Sequence, residues 1–338
     1  MHIRLIYVII KGLGGDIRTS KKSIISGVLK MDTVTSKIMK MTDQESLLKT
    51  KDKRNDLLLK HWFNDKDVST AGRIIWKGKS KLDHSTDIAV VMSRIVRPSI
   101  NEKTGRMIQI QILNYGKEYK DFNPMSESIC GDCQHKNKSC YVLWHKSIFS
   151  SWKRAMKLEE LTLDQGIQLC KGRSIRLGTA GDPAAVPAKV WLKLLEDAKN
   201  WTAYTHQWHR PEFQEYKEFC MASVDSLEQE KLAISLGWLP FRVGPVEAKM
   251  TTNDLYKGLN FETQTIQCPA TRYEKGNCAD CGLCSGLMVH KKNGDKLQRR
   301  NKNFKGIGVR LHGGSTGKYV EPPSINDERY EWARSQVG

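Results

Sequence analysis

The chain has 338 residues, a net charge of +18 and nine cysteines. This length suits one large α/β domain with appended segments, and the charge excess favours a polyanionic partner, nucleic acid above all, through phosphate contacts. No run approaches the roughly 18 apolar residues of a membrane span, and the apolar run Leu5 to Ile10 is too short for a signal peptide. We therefore expect a cytoplasmic protein with reduced thiols and no membrane contact.

Residues 1–80 are rich in Lys, Ser, Thr and Asp and show no strong hydrophobic period. The run from Lys49 to Arg54 is dominated by charge, and one helix is expected around Asp56 to Phe63. We interpret residues 1–80 as a basic N-terminal extension, partly disordered and outside the core.

The α/β core is expected over residues 81–268. Asp87 to Ile95 and Arg106 to Leu113 are rich in strand-forming residues and are joined by a turn-like segment at 101–105. Helical spacing follows from Tyr141 to Lys157. A capping-box pattern, Thr162-x-x-Gln165, then predicts a helix that ends near Cys170.

From Ser174 onward, predicted strands alternate with predicted helices. The strands are Ser174–Leu177, Trp201–Thr205, Phe219–Val224, Trp238–Val243 and Thr263–Gln267. The helices are Pro187–Asn200, Pro211–Phe219 and one that opens at Asp225 or Ser226 and closes at Gly237. Repeated βα units indicate parallel strands with right-handed crossovers. Counted from Arg106 there are six strands, so we predict an α/β fold: an open six-stranded (βα)6 partial TIM-like barrel. A Cys-rich and basic C-terminal region follows at 269–338.

Three cysteines, the first cysteine group, follow the first of these six strands: Cys130, Cys133 and Cys140. Thiolates at two-residue spacing lie close together around a turn and can surround one metal centre. A [4Fe-4S] cluster with three cysteine ligands and one open iron fits this group. A zinc ion with His135 or His145 as the fourth ligand fits it as well.

Four cysteines near the C-terminus form the second cysteine group: Cys268, Cys278, Cys281 and Cys284. A C-x2-C-x2-C run with a separate Cys-Pro is typical of bacterial ferredoxin clusters, although here the Cys-Pro lies upstream. Four thiolates would also complete a structural zinc site. Cys170 and Cys220 have no partner at a useful spacing, and we interpret them as buried apolar thiols.

Polar residues stand at the ends of several predicted strands. They are Thr179–Pro183, Thr205–Gln207, Ser223–Ser226 and Arg242. Functional residues of parallel α/β folds cluster at the carboxyl ends of the strands. We therefore expect the first cysteine group and these polar groups to share one rim, with His206 and His209 as ordinary surface or pocket histidines.

In this order of features the chain resembles radical S-adenosylmethionine (SAM) enzymes. Those enzymes hold a [4Fe-4S] cluster on three cysteines after the first strand and bind the SAM amine with a Gly-Gly-Glu-Pro-like motif after the second. Thr179-Ala-Gly-Asp-Pro183 stands at that second position, whereas C-x2-C-x6-C differs from the common C-x3-C-x2-C. The resemblance implies an electron donor, cofactor-binding residues Gly181, Asp182, Thr205 and Ser223, and catalytic residues Asp182, Asp225 and Arg242.

The chain also resembles, over residues 80 to 315, uncharacterised phage and bacterial proteins akin to the phage gene-product-eighty-eight family. The shared features are Asn-Glu-Lys-Thr-Gly at 101–105, a Cys-Tyr end to the first cysteine group, Gly-Asp after a strand, and Cys-Pro-Ala followed by Gly-Asn-Cys-x2-Cys-x2-Cys. This resemblance implies a phage or mobile-element setting and no particular activity.

The tract at 290–310 is the candidate phosphate contact, because it carries many Lys and Arg residues around Phe304. Our first hypothesis is an iron–sulfur, radical SAM-like enzyme that acts on a nucleic-acid-linked or other anionic substrate. The second cysteine group would then hold a structural or electron-passing cluster. The alternative is a non-catalytic, zinc-stapled nucleic-acid-binding protein.

Overall fold

The computed structural model describes residues 52–63, 72–97, 99, 101–244, 265–272, 276–290, 297–300, 304, 306–310 and 321–337. The first part of the predicted N-terminal extension, up to residue 51, lies outside these residues, and so do Lys291, Lys292 and Lys296 of the basic tract.

The described strands are β1 (Arg73–Lys79), β2 (Asp87–Ser93), β3 (Ile108–Asn114), β4 (Ser174–Ala180), β5 (Asn200–Thr202), β6 (Tyr204–Thr205), β7 (Met221–Val224), β8 (Pro240–Gly244), β9 (Ile266–Gln267), β10 (Met288–His290), β11 (Leu297–Arg299) and β12 (Ile307–Arg310). The described helices are α1 (Lys53–Phe63), α2 (Glu127–Cys130), α3 (Phe149–Ala155), α4 (Leu163–Cys170), α5 (Ala188–Leu195), α6 (Leu227–Ser235), α7 (Pro269–Arg272), α8 (Cys278–Cys281) and α9 (Glu331–Ser335). A π-helical turn at Trp144–Ile148 precedes α3, and Pro211–Glu218 is a 3-10 helix.

The first sheet has the order β1-β2-β3-β4-β5 in the described part of the chain. The pairs β1-β2 and β2-β3 are antiparallel, while β3-β4 and β4-β5 are parallel. Every residue of β3 is buried. Its polar side chains Gln109, Gln111 and Asn114 are buried as well, and each donates a hydrogen bond to a neighbouring group.

The second sheet, within the same described residues, has the order β6-β7-β8-β12-β9, and its paired strands are all parallel. Only Ala203 separates β5 from β6. The backbone of Ala203 accepts a hydrogen bond from Met221 N at 2.9 Å. The segment 200–205 thus leads from one sheet directly into the other.

The mixed α/β class is confirmed, but a six-stranded (βα)6 barrel is not shown. The predicted sixth strand is present as β9, yet β12 lies between it and β8 and pairs with both. The first sheet also begins at Arg73, inside the residues 1–80 that the sequence analysis assigns to an extension.

Local sequence signals explain where several helices begin. The capping box predicted for α4 is formed: Gln165 N donates to Thr162 Oγ1 at 3.2 Å, and Thr162 N donates to Gln165 Oε1 at 2.8 Å. The Ser226 side chain caps α6 by accepting from Gln229 N at 3.1 Å. Among the described helices none has the length and apolar character needed to cross a bilayer.

Candidate metal centre

The first cysteine group lies in a tight loop after β3 and α2. Cys130 is the last residue of α2, and Gly131 follows it with φ +50°. A Cβ on Gly131 would lie 2.6 Å from the side-chain amide of Gln207. The positive φ favours glycine at position 131, and the absence of a side chain lets the loop lie close to the Gln207 side chain that follows β6.

This cysteine loop contacts the ends of three successive parallel strands. The Ile129 carbonyl accepts from Asp182 N, after β4, at 2.6 Å. The Cys133 sulfur lies 3.7 Å from His206 Nε2, after β6, and His135 Nε2 lies 3.1 Å from Asp225 Oδ1, after β7. The structure therefore brings the first cysteine group, Asp182 and Asp225 together at one edge of the strands.

Asp182 holds two of these strand ends together. Its side chain is almost completely buried, and Oδ1 accepts from Ala184 N at 2.9 Å while Oδ2 accepts from His206 N at 2.8 Å. The preceding Gly181 has φ +79°, and a Cβ there would lie 2.6 Å from Ile112 O. Both residues of the predicted SAM motif thus fix the loop after β4 against its neighbours.

The other predicted site residues lie at strand ends with partners of their own. Thr205 is fully buried, and its Oγ1 accepts from Gln207 N at 3.0 Å. Ser223 is buried on β7. Arg242 on β8 pairs with the buried Glu230 of α6 at 3.5 Å.

The second cysteine group lies at the opposite ends of the parallel strands. The Ala279 carbonyl, within α8, accepts from Ser174 Oγ at 2.9 Å and from Asn200 Nδ2 at 2.8 Å. Ser174 and Asn200 are the first residues of β4 and β5. β4 has seven residues, so the two ends are roughly 20 Å apart. The two cysteine groups therefore cannot bind one common metal ion.

Burial favours the protonated form of Cys130, Cys278 and Cys284 in the absence of a cation. It raises the pKa of Cys130 and Cys284 well above the ordinary value and raises that of Cys278 to about 11, with further contributions from neighbouring thiols. Metal binding must therefore release protons from these sites. Burial disfavours the charged form of His206, but Cys133 and Asp182 outweigh it and raise the pKa of His206 well above its usual range.

The thiols are not spaced as in a zinc–thiolate site. A tetrahedral zinc with Zn–S bonds of about 2.3 Å holds its sulfurs about 3.8 Å apart. Within the described residues, which include all seven cysteines of the two groups, no three cysteine sulfurs lie within 4.8 Å of one another. The cysteines of the described residues are therefore not arranged as a preformed tetrahedral zinc site.

A cavity of about 900 Å³ opens beside the first cysteine group. The cysteine loop contributes Gly131, Asp132 and Cys133, and the C-terminal segment contributes Asp327 and Arg329. Among the described lining residues, six are Asp or Glu and four are Lys or Arg. The volume is that of a small-molecule site, and its wall is slightly acidic although the whole chain is strongly basic.

No family model, curated protein or solved structure matches the chain. His135, expected from the sequence only as a possible zinc ligand of the first cysteine group, contacts Asp225 instead. His206, expected to be an ordinary surface or pocket histidine, contacts Cys133. Their positions in the sequence could have indicated these contacts, because His135 lies between Cys133 and Cys140 and His206 directly follows a predicted strand.

Proposed function

We propose that the protein is an iron–sulfur enzyme of the radical SAM type. Cys130, Cys133 and Cys140 hold a [4Fe-4S] cluster, and SAM occupies the cavity of about 900 Å³ beside them. The observation that carries the proposal is the docking of the cysteine loop onto three successive strand ends next to that cavity. We also propose that an open six-stranded partial barrel is formed by β3, β4, the combined segment β5–β6, β7, β8 and β12.

Three thiolates on a four-iron cluster leave one iron without a protein ligand, and this is the arrangement that SAM binding requires. When bound and reduced, the cluster supplies the electron for cleavage of SAM. The contribution of the chain is to position the cysteine loop. Gly131 allows its close approach to β6, and Asp182 fixes the neighbouring loop by accepting from His206 N and Ala184 N.

The charges around the cavity suit SAM better than a polyanion. SAM carries two cationic centres, the sulfonium and the ammonium, and one carboxylate. The six acidic lining residues complement the cations, while Arg210 and Arg329 are candidates for pairing with the carboxylate. Nucleic acid, if it binds, does so through surfaces outside this cavity.

The second cysteine group holds a structural or electron-passing cluster in this proposal. It lies at the other ends of β4 and β5, and α8 joins both strands through the Ala279 carbonyl. A centre at that position cannot touch a substrate in the cavity. Its loss should therefore affect stability or reduction of the first cluster and leave SAM binding intact.

Anaerobic purification followed by iron, sulfide and zinc analysis tests the proposal. We expect iron with acid-labile sulfide, broad visible absorption, and slow cleavage of SAM to 5′-deoxyadenosine and methionine after reduction. Cys133→Ala should abolish SAM cleavage and lower the iron content, Cys281→Ala should lower the iron content while SAM binding persists, and the control Cys170→Ala should change neither. Stoichiometric zinc without sulfide would refute the iron–sulfur assignment.

The net charge of +18 supports a second candidate, a zinc-stapled nucleic-acid-binding protein without catalysis. This protein would be colourless and would bind nucleic acid without SAM. Stoichiometric zinc without sulfide, together with nucleic-acid binding, would favour this second candidate. Iron-replete protein that neither binds nor cleaves SAM would exclude the SAM enzyme and leave some other metal-dependent role.

A further inference from the structure

Two histidines and an aspartate from three separate loops meet beside the first cysteine group. They are His135 in the cysteine loop, His206 after β6 and Asp225 after β7, and their ligand atoms all lie within 4.8 Å of one another. The side chain of Asp225 is 5% exposed. Within the described residues no other group of at least three His, Cys, Asp or Glu side chains comes this close together.

The outer nitrogen of each imidazole faces an oxygen atom. His135 Nδ1 lies 2.6 Å from Ser139 Oγ, and His206 Nδ1 lies 3.7 Å from Asp182 Oδ2. Metal-binding histidines commonly have such partners, which set the ring orientation and leave the other nitrogen for the ion. Here the remaining nitrogens face Asp225 and Cys133. The Asp225 backbone is fixed in turn, because its N–H donates to Gln229 Oε1 at 3.0 Å.

We propose that His135, His206 and Asp225 bind a divalent transition-metal ion, zinc or ferrous iron, at a site separate from the thiolate cluster. Two imidazoles and one carboxylate are a ligand set that suits both ions, and three protein ligands leave coordination positions open. A simple ion pair between His135 and Asp225 would not require His206 to converge on the same point.

The site lies at the carboxyl ends of the strands, on the same loop that lines the cavity. A metal with open positions there can polarise a carbonyl or carboxylate oxygen of a bound substrate. This inference goes beyond the proposed function, since its ligands include no cysteine. The two sites would be neighbours, because Cys133 Sγ lies 3.7 Å from His206 Nε2, and substitutions of the metal ligands and of the cysteines distinguish them.

Cobalt(II) titration of full-length, metal-depleted protein tests the site. Cobalt bound to nitrogen and oxygen gives weak visible bands, whereas cobalt bound to thiolates adds intense near-ultraviolet charge-transfer absorption. We expect the two cysteine groups to give thiolate absorption and one further cobalt ion to bind with weak visible bands only. Its affinity should fall roughly 100-fold in His135→Gln and in Asp225→Asn, which remove ligands, and roughly 10-fold in Ser139→Ala, which removes a supporting contact. His145→Gln, an exposed histidine in the same region, is the matched control and should bind as wild type.

Two further measurements separate this site from the iron–sulfur proposal. Anaerobically purified His135→Gln and Asp225→Asn should retain wild-type iron and sulfide. Cys133→Ala should retain the cobalt site whether or not a cluster exists. Equal cobalt binding by wild type, His135→Gln and Asp225→Asn would show that the three residues form an ion pair only, and loss of the site in Cys133→Ala would assign the metal to the thiols. Either result overturns the inference.

Discussion

Gly181 decides how closely the loop after β4 can approach β3. Its φ of +79° is unfavourable for a side chain, and a Cβ would lie 2.6 Å from Ile112 O and 2.9 Å from Ile112 Cβ. Gly172 shares a positive φ, +67°, but has open space around it. A substitution at Gly172 therefore tests the backbone conformation alone, whereas one at Gly181 tests the conformation and the close packing together.

Gly172→Ala should lower the free energy of unfolding by about 1 kcal/mol, the cost of a left-handed conformation. Gly181→Ala adds a backbone collision and should cost about 3 kcal/mol or more. Urea unfolding of both variants measures the difference. Equal losses would mean that the loop moves away from β3 without cost.

His209 makes the fold sensitive to acid. Burial lowers the pKa of His209 to about 4; Asp132 opposes this shift, and the nearby Arg210 and Arg329 support it. The unfolded histidine titrates near 6.5. Because the folded pKa lies below the unfolded one, the stabilising neutral form is complete above pH 6.5 and its contribution is lost as pH falls toward 4.

Between pH 7 and pH 5, wild-type protein should therefore lose about 2 kcal/mol of unfolding free energy through His209. His209→Gln should show a smaller loss over the same range. Denaturant unfolding of chelator-treated samples at both pH values gives the comparison, since chelation removes the pH dependence of metal binding. The interpretation fails if the two proteins lose equal stability.

The C-terminal segment 321–337 closes one side of the cavity. Tyr330 is buried and stacks on Trp208 with ring centroids 5.6 Å apart, and its ring lies 4.8 Å from that of His209. The Pro323 carbonyl accepts from Gln229 Nε2 at 3.1 Å. The segment is thus held by the buried Tyr330 and Ala333, by Ile325 and Trp332 packed against the core, and by polar contacts such as the one from Gln229.

Tyr330→Ala should cost about 3 kcal/mol of stability, because it leaves a large space in a packed region. It should also expose His209 and reduce the acid sensitivity described above. The neighbouring Glu331→Ala changes an exposed residue and should have little effect. Calorimetry and hydrogen exchange of both variants provide the readout. Wild-type protection of the 321–337 amides in Tyr330→Ala would show that other contacts hold the segment.

Sequence patterns predicted the elements whose signals are local. The capping residues Thr162 and Gln165 marked the start of α4, and the runs of strand-forming residues marked β2 and β3. β1 was missed because Lys77 and Lys79 interrupt the apolar pattern after Trp76, in the half of the strand that is only partly buried. β12 was missed because four residues within a basic tract carry too weak a strand signal.

In the candidate site, too, local features could be predicted from the sequence and long-range contacts could not. The cysteine spacing alone identified the two cysteine groups, and metal binding by them stays a prediction. The contact between His135 and Asp225 joins residues 90 positions apart, and no periodicity in the chain announces it. Only the pairing of β3, β4, β6 and β7 into neighbouring strands places these two side chains together.

At the scale of the whole molecule, the net charge of +18 predicts salt-dependent binding to nucleic acid with little sequence preference. Removing the entire tract 290–310 would not test this cleanly, because it would also remove β12 with its buried Ile307 and Val309. Lys291→Gln, Lys292→Gln and Lys296→Gln combined avoid that strand. If these lysines contact phosphates, the slope of log affinity against log salt should fall by up to about 3.

A control with the same loss of charge replaces three exposed lysines elsewhere, Lys117, Lys146 and Lys153, by Gln. Electrophoretic mobility shift or fluorescence anisotropy at several salt concentrations gives the slopes. Identical slopes in the two triple variants would place the phosphate contact outside the basic tract.

The position of β12 between β8 and β9 also has a consequence for biosynthesis. β8 and β9 leave the ribosome before Ile307–Arg310 has been translated. Until then β8 can pair only with β7, and β9 lacks its described partner. Unpaired strand edges invite association with other chains. The second sheet can therefore be completed only after β12 has been synthesised. A premature stop before residue 307 would release a protein with an open sheet edge that is prone to aggregate.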